Sequence, residues 1–345
     1  MRDPAKIRLL LRIACFAPLA VGLLVIDWVG AQPPVQHILT CRLHAAAEAL
    51  VAGQTIRSHA DMHDLKPIWV EHLTQRPDVV VLGSSRVVQI SHDWFQPRRM
   101  LNLAILAGDF EDAVGMFQRL VERRMTPKLV LLQLNPTLSF RGKPGTTPGL
   151  APQYRRALLH YGIFPPILFS GPLTLDAVFW DPRIFLSRNL WQATAEMDPT
   201  EYRLRPDGTA DWAVTEPQRT ADEAERQAVT QMHHLDPERE QWRMTSRPGW
   251  FDRRILLAFV DDLRARGIRL VVILVPIHPT AFSFYTSHGG YDDSWIRGDM
   301  AAHGVTVIGS YSPAVARVTR DDFFDDVHVH PEVLHRLLRE SGIVE

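Results

Sequence analysis

The chain has 345 residues, 46% hydrophobic and 22% charged, with a formal net charge of −1. That is the make-up of an ordinary globular protein, long enough to bury one large core or two moderate ones. It excludes a general electrostatic attraction to nucleic acid or anionic lipid. The two cysteines, Cys15 in an apolar N-terminal run and Cys41, give no basis for a disulfide within the folded domain.

Arg2, Lys6, Arg8 and Arg12 precede the apolar run Ile13 to Ile26, which Asp27 and Trp28 close. A basic start followed by such a run directs export and leaves the N-terminus in the cytoplasm. Residues 1–31 then read as a signal anchor or as a cleaved signal peptide. As an anchor, Ile13 to Ala31 just spans a bilayer. As a signal peptide, Val29-Gly30-Ala31 supplies small residues before Gln32. A buried core helix is the third reading. With the first two, the rest of the chain lies on the periplasmic or extracytoplasmic side, and with the anchor the protein is single-pass in the cell membrane.

Residues 32–75 read as a spacer that begins at Gln32-Pro33-Pro34 and holds an alanine-rich stalk or docking helix, His44 to Ala52. The globular domain, 76–345, is entered at Pro77. Val79 to Leu82 is a buried strand, Met100 to Ile105 a second, and Lys128 to Leu134 a third, each a continuous apolar run of the kind parallel strands show. Between them, Glu111 to Arg124 carries Ala113, Phe117, Leu120 and Val121 at helical spacing. Downstream come a helix through Ile255, Leu256, Phe259, Val260 and Leu263, strands at Arg269 to Val275 and Val305 to Gly309, and a closing helix over Val333 to Leu338. Strand and helix in repetition predict an α/β fold: a three-layer parallel sheet with helices on both sides. Residues 137–249 break the pattern and read as a large inserted cap, with Tyr154 to Tyr161 and Leu173 to Trp191 apolar enough to pack.

In such sheets ligands sit at the carboxyl ends of strands. Ser85, Gly108, Asn135 and His278 all fall just past predicted strand ends. Gly83-Ser84-Ser85-Arg86 is a tight turn that can project a hydroxyl, although serines there also cap helices. Asp325-Asp326-Val327-His328 sets a carboxylate within reach of an imidazole in its own loop. Serine, histidine and aspartate are what nucleophilic acyl transfer needs. The same loop also admits a metal site at Asp326, His328 and His330, or plain capping of the helix after Pro331. Arg86 reads as a contact for an anionic substrate group or as a solvent-facing cation. His278 reads as lining the substrate pocket or as a structural hydrogen-bonder.

Taken in order, these segments resemble the SGNH/GDSL family of serine hydrolases. That family has a serine after glycine at the first strand end, an oxyanion-hole glycine after the second, an asparagine after the third, and Asp-x-x-His near the C-terminus. Here Gly83-Ser84-Ser85, Asn102 to Gly108, Gln133-Leu134-Asn135 and Asp325 to His328 stand in that order. The resemblance covers about 79–135 and 251–342. It implies an SGNH/flavodoxin-like fold, Ser85 as nucleophile, His328 as base and Asp325 as its orienter. The oxyanion hole would use the Ser85 N–H, that of Ala107 or Gly108, and the Asn135 amide. Ser84 stands where the family has aspartate, and Gln-Leu-Asn-Pro where it has Gly-x-Asn-Asp.

The GSSR form with an N-terminal membrane segment is most similar to exported proteins of this type that modify cell-envelope polymers. The function so implied is a serine esterase or O-acyltransferase acting on an acylated carbohydrate or envelope polymer, with no cofactor and no metal. The alternative is a catalytically weak binding or assembly partner of a membrane-bound O-acyltransferase.

Overall fold

The computed structural model describes residues 33–58, 61–135, 150–163, 202–211, 220–234, 250–287, 290–325 and 327–345. They belong to two compact units, Met1–Ala45 with Pro166–Met197, and Ala46–Pro165 with Asp198–Glu345. The first contributes part of helix α1 (Pro33–Val51). The signal-anchor or signal-peptide segment 1–31 lies outside the described residues, as do Leu173 to Trp191. Among the described residues no helix is long and apolar enough to cross a membrane.

The second unit is mixed α/β and is organised by five parallel strands. These are β2 (Val79–Leu82), β3 (Met100–Asn102), β4 (Leu129–Gln133), β7 (Arg269–Leu274) and β8 (Thr306–Gly309). Their order across the sheet is β3-β2-β4-β7-β8. Val79 pairs with Met100 on one side and with Leu129 on the other, so the first strand of the sheet in sequence is an inner one. Chain direction across the sheet therefore reverses at β2, and the crevice outside the strand ends opens there. All residues of β2, β3 and β4 are buried, as their unbroken apolar runs require.

Helices follow the strands. Helix α3 (Phe110–Glu122) begins at a capping box in which Asp109 accepts from the Asp112 N–H and Asp112 from the Asp109 N–H. Helix α6 (Trp250–Ala265) buries Ile255, Leu256, Phe259, Val260 and Leu263, the face read from the sequence. Helices α7 (Pro279–Ser287) and α8 (Ser294–Ala302) lead from β7 to β8, and the short α9 (Pro313–Ala316) follows β8. Helix α10 (Pro331–Glu340) closes the chain on Val333, Leu334, Leu337 and Leu338.

Two further regions of the sequence reading have described parts in this unit. Helix α2 (Met62–His72) falls within the predicted spacer, yet Met62, Leu65, Trp69 and Val70 are buried in the second unit. The described parts of the predicted cap also belong to this unit: α4 (Ala151–His160), α5 (Ala221–His234) and a small antiparallel sheet. That sheet joins β1 (Ile56–Ser58), from the spacer, to β5 (Tyr202–Leu204) and β6 (Ala210–Asp211). Its β5–β6 turn reaches the parallel sheet, since the Asn102 N–H donates to Asp207 O at 2.7 Å.

Candidate active site

At the end of β2 the backbone must turn beside β4. Gly83 has φ 148°, and a Cβ there would stand 2.6 Å from Gln133 Cβ, so only glycine fits. The turn runs into a short 3₁₀ segment, Ser85–Val87, with the Ser84 side chain as its cap. Capping therefore falls to Ser84 and leaves the Ser85 hydroxyl for other work.

The loop that meets it lies between the 3₁₀ segment Arg320–Asp322 and α10. A bridge between Phe323 and Val329 closes it, and within it the Phe324 N–H donates to His328 O at 3.2 Å. Asp325 Oδ1 accepts the N–H groups of Val327 (2.7 Å) and His328 (2.6 Å). Asp325 Oδ2 is 2.6 Å from His328 Nδ1, and His328 Nε2 is 2.9 Å from Ser85 Oγ. One hydrogen-bonded line thus joins hydroxyl, imidazole and carboxylate across 243 positions of sequence. Phe324 stacks on the His328 ring, with centroids 5.5 Å apart and planes 11° from parallel, and fixes its plane. Burial alone would raise the Asp325 carboxyl. The His328 hydrogen bond and charge, with the two backbone N–H groups, outweigh it and hold the group below the usual carboxylate range.

Around Ser85, donors stand without acceptors. Among the described residues the Ser85 N–H has no hydrogen-bond partner, and neither has that of Ala107. Ala107 is exposed and has φ 52°, a conformation that costs a non-glycine residue about 1 kcal/mol or more. Of the two residues the sequence left open after β3, Gly108 has its N–H engaged with Ile105 O at 3.0 Å, which leaves Ala107 as the free donor. Gly108 serves by closeness: a Cβ would lie 3.1 Å from Gly83 O. Asn135 Nδ2 reaches Gly108 O at 3.5 Å, which sets the amide beside the same turn.

The remaining sequence candidates are placed as follows. Arg86 follows Ser85, and its buried Nη1 has no hydrogen-bond partner among the described residues. His278, read as a pocket lining or as a structural hydrogen-bonder, has a wholly buried side chain, edge-on to Phe323 at 5.1 Å; among the described residues neither ring nitrogen has a hydrogen-bond partner, and Glu225 Oε2 is 3.8 Å away. Burial, against the nearby Glu225 and Asp325 charges, pushes its pKa down. It packs behind the Asp325–His328 loop and touches no open surface. For the metal reading, Asp326 lies outside the described residues, and both His328 nitrogens are already engaged by Asp325 and Ser85.

Sequence reading missed Gln133 and Lys66. Gln133 Oε1 accepts the N–H and the hydroxyl of Ser84, both at 2.8 Å, and its Nε2 donates to Asn135 Oδ1 at 2.8 Å. Lys66 is fully buried and donates to the carbonyls of Asn102, Ala104 and Gly208. The signals for Gln133 were a polar side chain ending an apolar strand and its place where the resembled pattern has glycine. Lys66 gave none.

The sequence matches no protein-family model and no curated protein.

Proposed function

We propose that this chain is a serine-dependent ester hydrolase or O-acyltransferase of the SGNH type, built on the three-layer, flavodoxin-like arrangement of that family. The observation that carries the reading is the Ser85–His328–Asp325 line, with hydrogen bonds of 2.9 and 2.6 Å. The strand order β3-β2-β4-β7-β8 supports the fold assignment, because it is the doubly wound order with its ligand crevice at the inner switch strand.

In this reading Ser85 Oγ attacks an ester carbonyl carbon as its proton passes to His328 Nε2. The oxyanion is received by the N–H groups of Ser85 and Ala107 and by Asn135 Nδ2, each such donor contributing about 3 kcal/mol. Collapse breaks the ester C–O bond. The leaving alkoxide takes the proton from Nε2, and acyl-Ser85 remains. Water or a sugar hydroxyl then attacks the acyl carbon, gives its proton to His328, and Ser85 leaves protonated. Asp325 stays ionised throughout and steadies the imidazolium.

The substrate proposed is an O-acylated envelope carbohydrate or polymer carrying an anionic group beside the ester. Arg86 supports it: among the described residues its buried Nη1 has no partner, and such a donor is costly unless something meets it. Its charge also offsets part of the rise that burial imposes on the Tyr311 hydroxyl, which donates to Leu134 O next to Asn135. Export, by the N-terminal segment, and work beside a membrane-bound O-acyltransferase belong to the same proposal. A fluorophosphonate probe and a chromogenic acetate ester test it. The expected result is labelling of the wild type at Ser85 and loss of both labelling and turnover in Ser85→Ala. Unlabelled wild type, with polymer acylation fully restored in cells by Ser85→Ala, favours the non-catalytic partner instead.

A further inference from the structure

Two amides, Gln133 at the end of β4 and Asn135 just past it, stand beside the turn that carries Ser84 and Ser85, and each can be flipped. Carboxamide O and N have nearly the same shape, so packing does not choose between the two orientations; hydrogen bonds do. For the Gln133 side chain the choice is made by the backbone. The Ser84 N–H has a fixed direction and can only donate, so the atom 2.8 Å from it must be Oε1. The Ser84 hydroxyl adds a second donor to that oxygen at 2.8 Å. Gln133 Nε2 is thereby turned away from Ser84 and meets Asn135 at 2.8 Å. A donor there requires an acceptor, so Asn135 presents Oδ1 to Gln133. Its Nδ2 faces the other way, toward Gly108 O at 3.5 Å and the turn around Ser85.

We propose that Gln133 is a positioning residue that sets the sign of the dipole Asn135 offers to the reaction. The inference rests on the catalytic reading above. Ser84 and Gln133 are both buried, at 4% and 3% exposure, so water does not compete for these bonds. Ser84 is also the residue before the nucleophile. A single chain of bonds therefore fixes Ser85 and its third oxyanion donor relative to each other. With Asn135 flipped, Oδ1 would face the developing negative charge and oppose it. The two departures from the family pattern, Ser84 for aspartate and Gln133 for glycine, are bonded to each other, which makes them one device rather than two losses.

The test is a comparison of Gln133→Glu, Asn135→Ala and the double variant. Burial raises the pKa of the carboxyl that Gln133→Glu introduces, so the variant is assayed up to about pH 9; once ionised it accepts from Ser84 but cannot donate to Asn135, and Asn135 turns Nδ2 toward it and Oδ1 toward the site. Gln133→Glu is expected to lower kcat by about 10²–10³-fold, the size of a lost oxyanion donor, with KM changed less than about threefold. Asn135→Ala in the Gln133→Glu background is expected to cost no further activity. Loss of kcat by Asn135→Ala alone, with wild-type kcat in Gln133→Glu, overturns the inference. So does a double variant whose loss is the product of the single losses, because independent residues add in free energy. Should Gln133→Glu not fold, as judged by its melting curve, Gln133→Met takes its place with the same coupling expected. Wild type that turns over no ester and takes no probe at Ser85 sinks the catalytic reading itself. That outcome is distinct from an active enzyme indifferent to Gln133.

Discussion

Residues 102–108 are gripped from two sides, and the two grips are built in opposite ways. At the far end the segment serves the candidate site: the Ile105 N–H donates to Gly83 O, and Ala107 holds φ 52° with its N–H unused among the described residues. At the near end Lys66 Nζ donates to Asn102 O at 3.0 Å, Ala104 O at 2.5 Å and Gly208 O at 3.1 Å. An ammonium has three protons, and here each has its carbonyl. In the proposed reading the site keeps donors open for a developing negative charge. The support, which meets no such charge, closes every donor. Variants in the two regions should therefore separate activity from stability.

The largest effect belongs to the site. His328→Ala is expected to reduce ester turnover about 10⁶-fold, as removal of the base from such a triad does. Its melting temperature should shift by only a few degrees, since the side chain is 19% exposed and packs on one face. An active His328→Ala breaks the contrast at once. Next comes Asp325→Asn, expected to cost about 10⁴-fold in kcat by loss of the tautomer lock. The same variant reports on stability in acid. The folded Asp325 pKa is held below its unfolded value of about 3.9. Its stabilisation is therefore present above that value and is lost as pH falls through the folded pKa. Urea unfolding below about pH 4 should show that acid-side loss in the wild type and less of it in Asp325→Asn.

What could be read in the sequence follows the same division. Asp325 and His328 sit in one loop, so a three-residue spacing carried their relation, and Gly83-Ser84-Ser85 declared a turn at a strand end. The parallel strands were legible because strands buried on both faces are unbroken apolar runs. The supports were not. Lys66 meets Gly208 across 142 positions, and Gln133 meets Ser84 across 49. No local pattern encodes such pairs. Helix α2 has Pro67 inside it, and β5 and β6 are three and two residues long, too short for alternation to show. His278 was read from its place after a strand as pocket lining or structural residue, and its wholly buried ring meets Phe323, far along the chain.

Lys66→Met should give the converse of the His328 result. It strands three buried carbonyls, at a cost of about 3 kcal/mol in folding free energy, and turnover by the folded fraction should be retained within about tenfold. The pH dependence sharpens this. Burial, opposed only by the Asp207 charge, pushes the Lys66 pKa down to about 7. In the unfolded chain it returns to about 10.4, so between these values the unfolded state binds more protons and stability rises with pH. The contribution approaches about 1.4 kcal/mol per pH unit at most. Denaturant titrations at about pH 7, 8 and 9 should show that slope in the wild type and its loss in Lys66→Met. An equal slope in both would mean that the three carbonyls hold the ammonium charged in the fold.

The smallest effect tests the edge between the two regions. Arg86 is adjacent to Ser85, yet among the described residues its buried Nη1 lacks the partner a support would have. If it belongs to the site, Arg86→Gln should lower the ratio of kcat/KM for an anionic ester to that for a neutral ester about tenfold, the effect of one partly screened charge pair. That ratio should also shrink in the wild type as salt is raised, since screening weakens a pair that water can still reach. A ratio unmoved by both substitution and salt would assign Arg86 to the scaffold. In that case its unmet N–H should make Arg86→Gln more stable than the wild type, because a buried donor without an acceptor destabilises the fold that holds it.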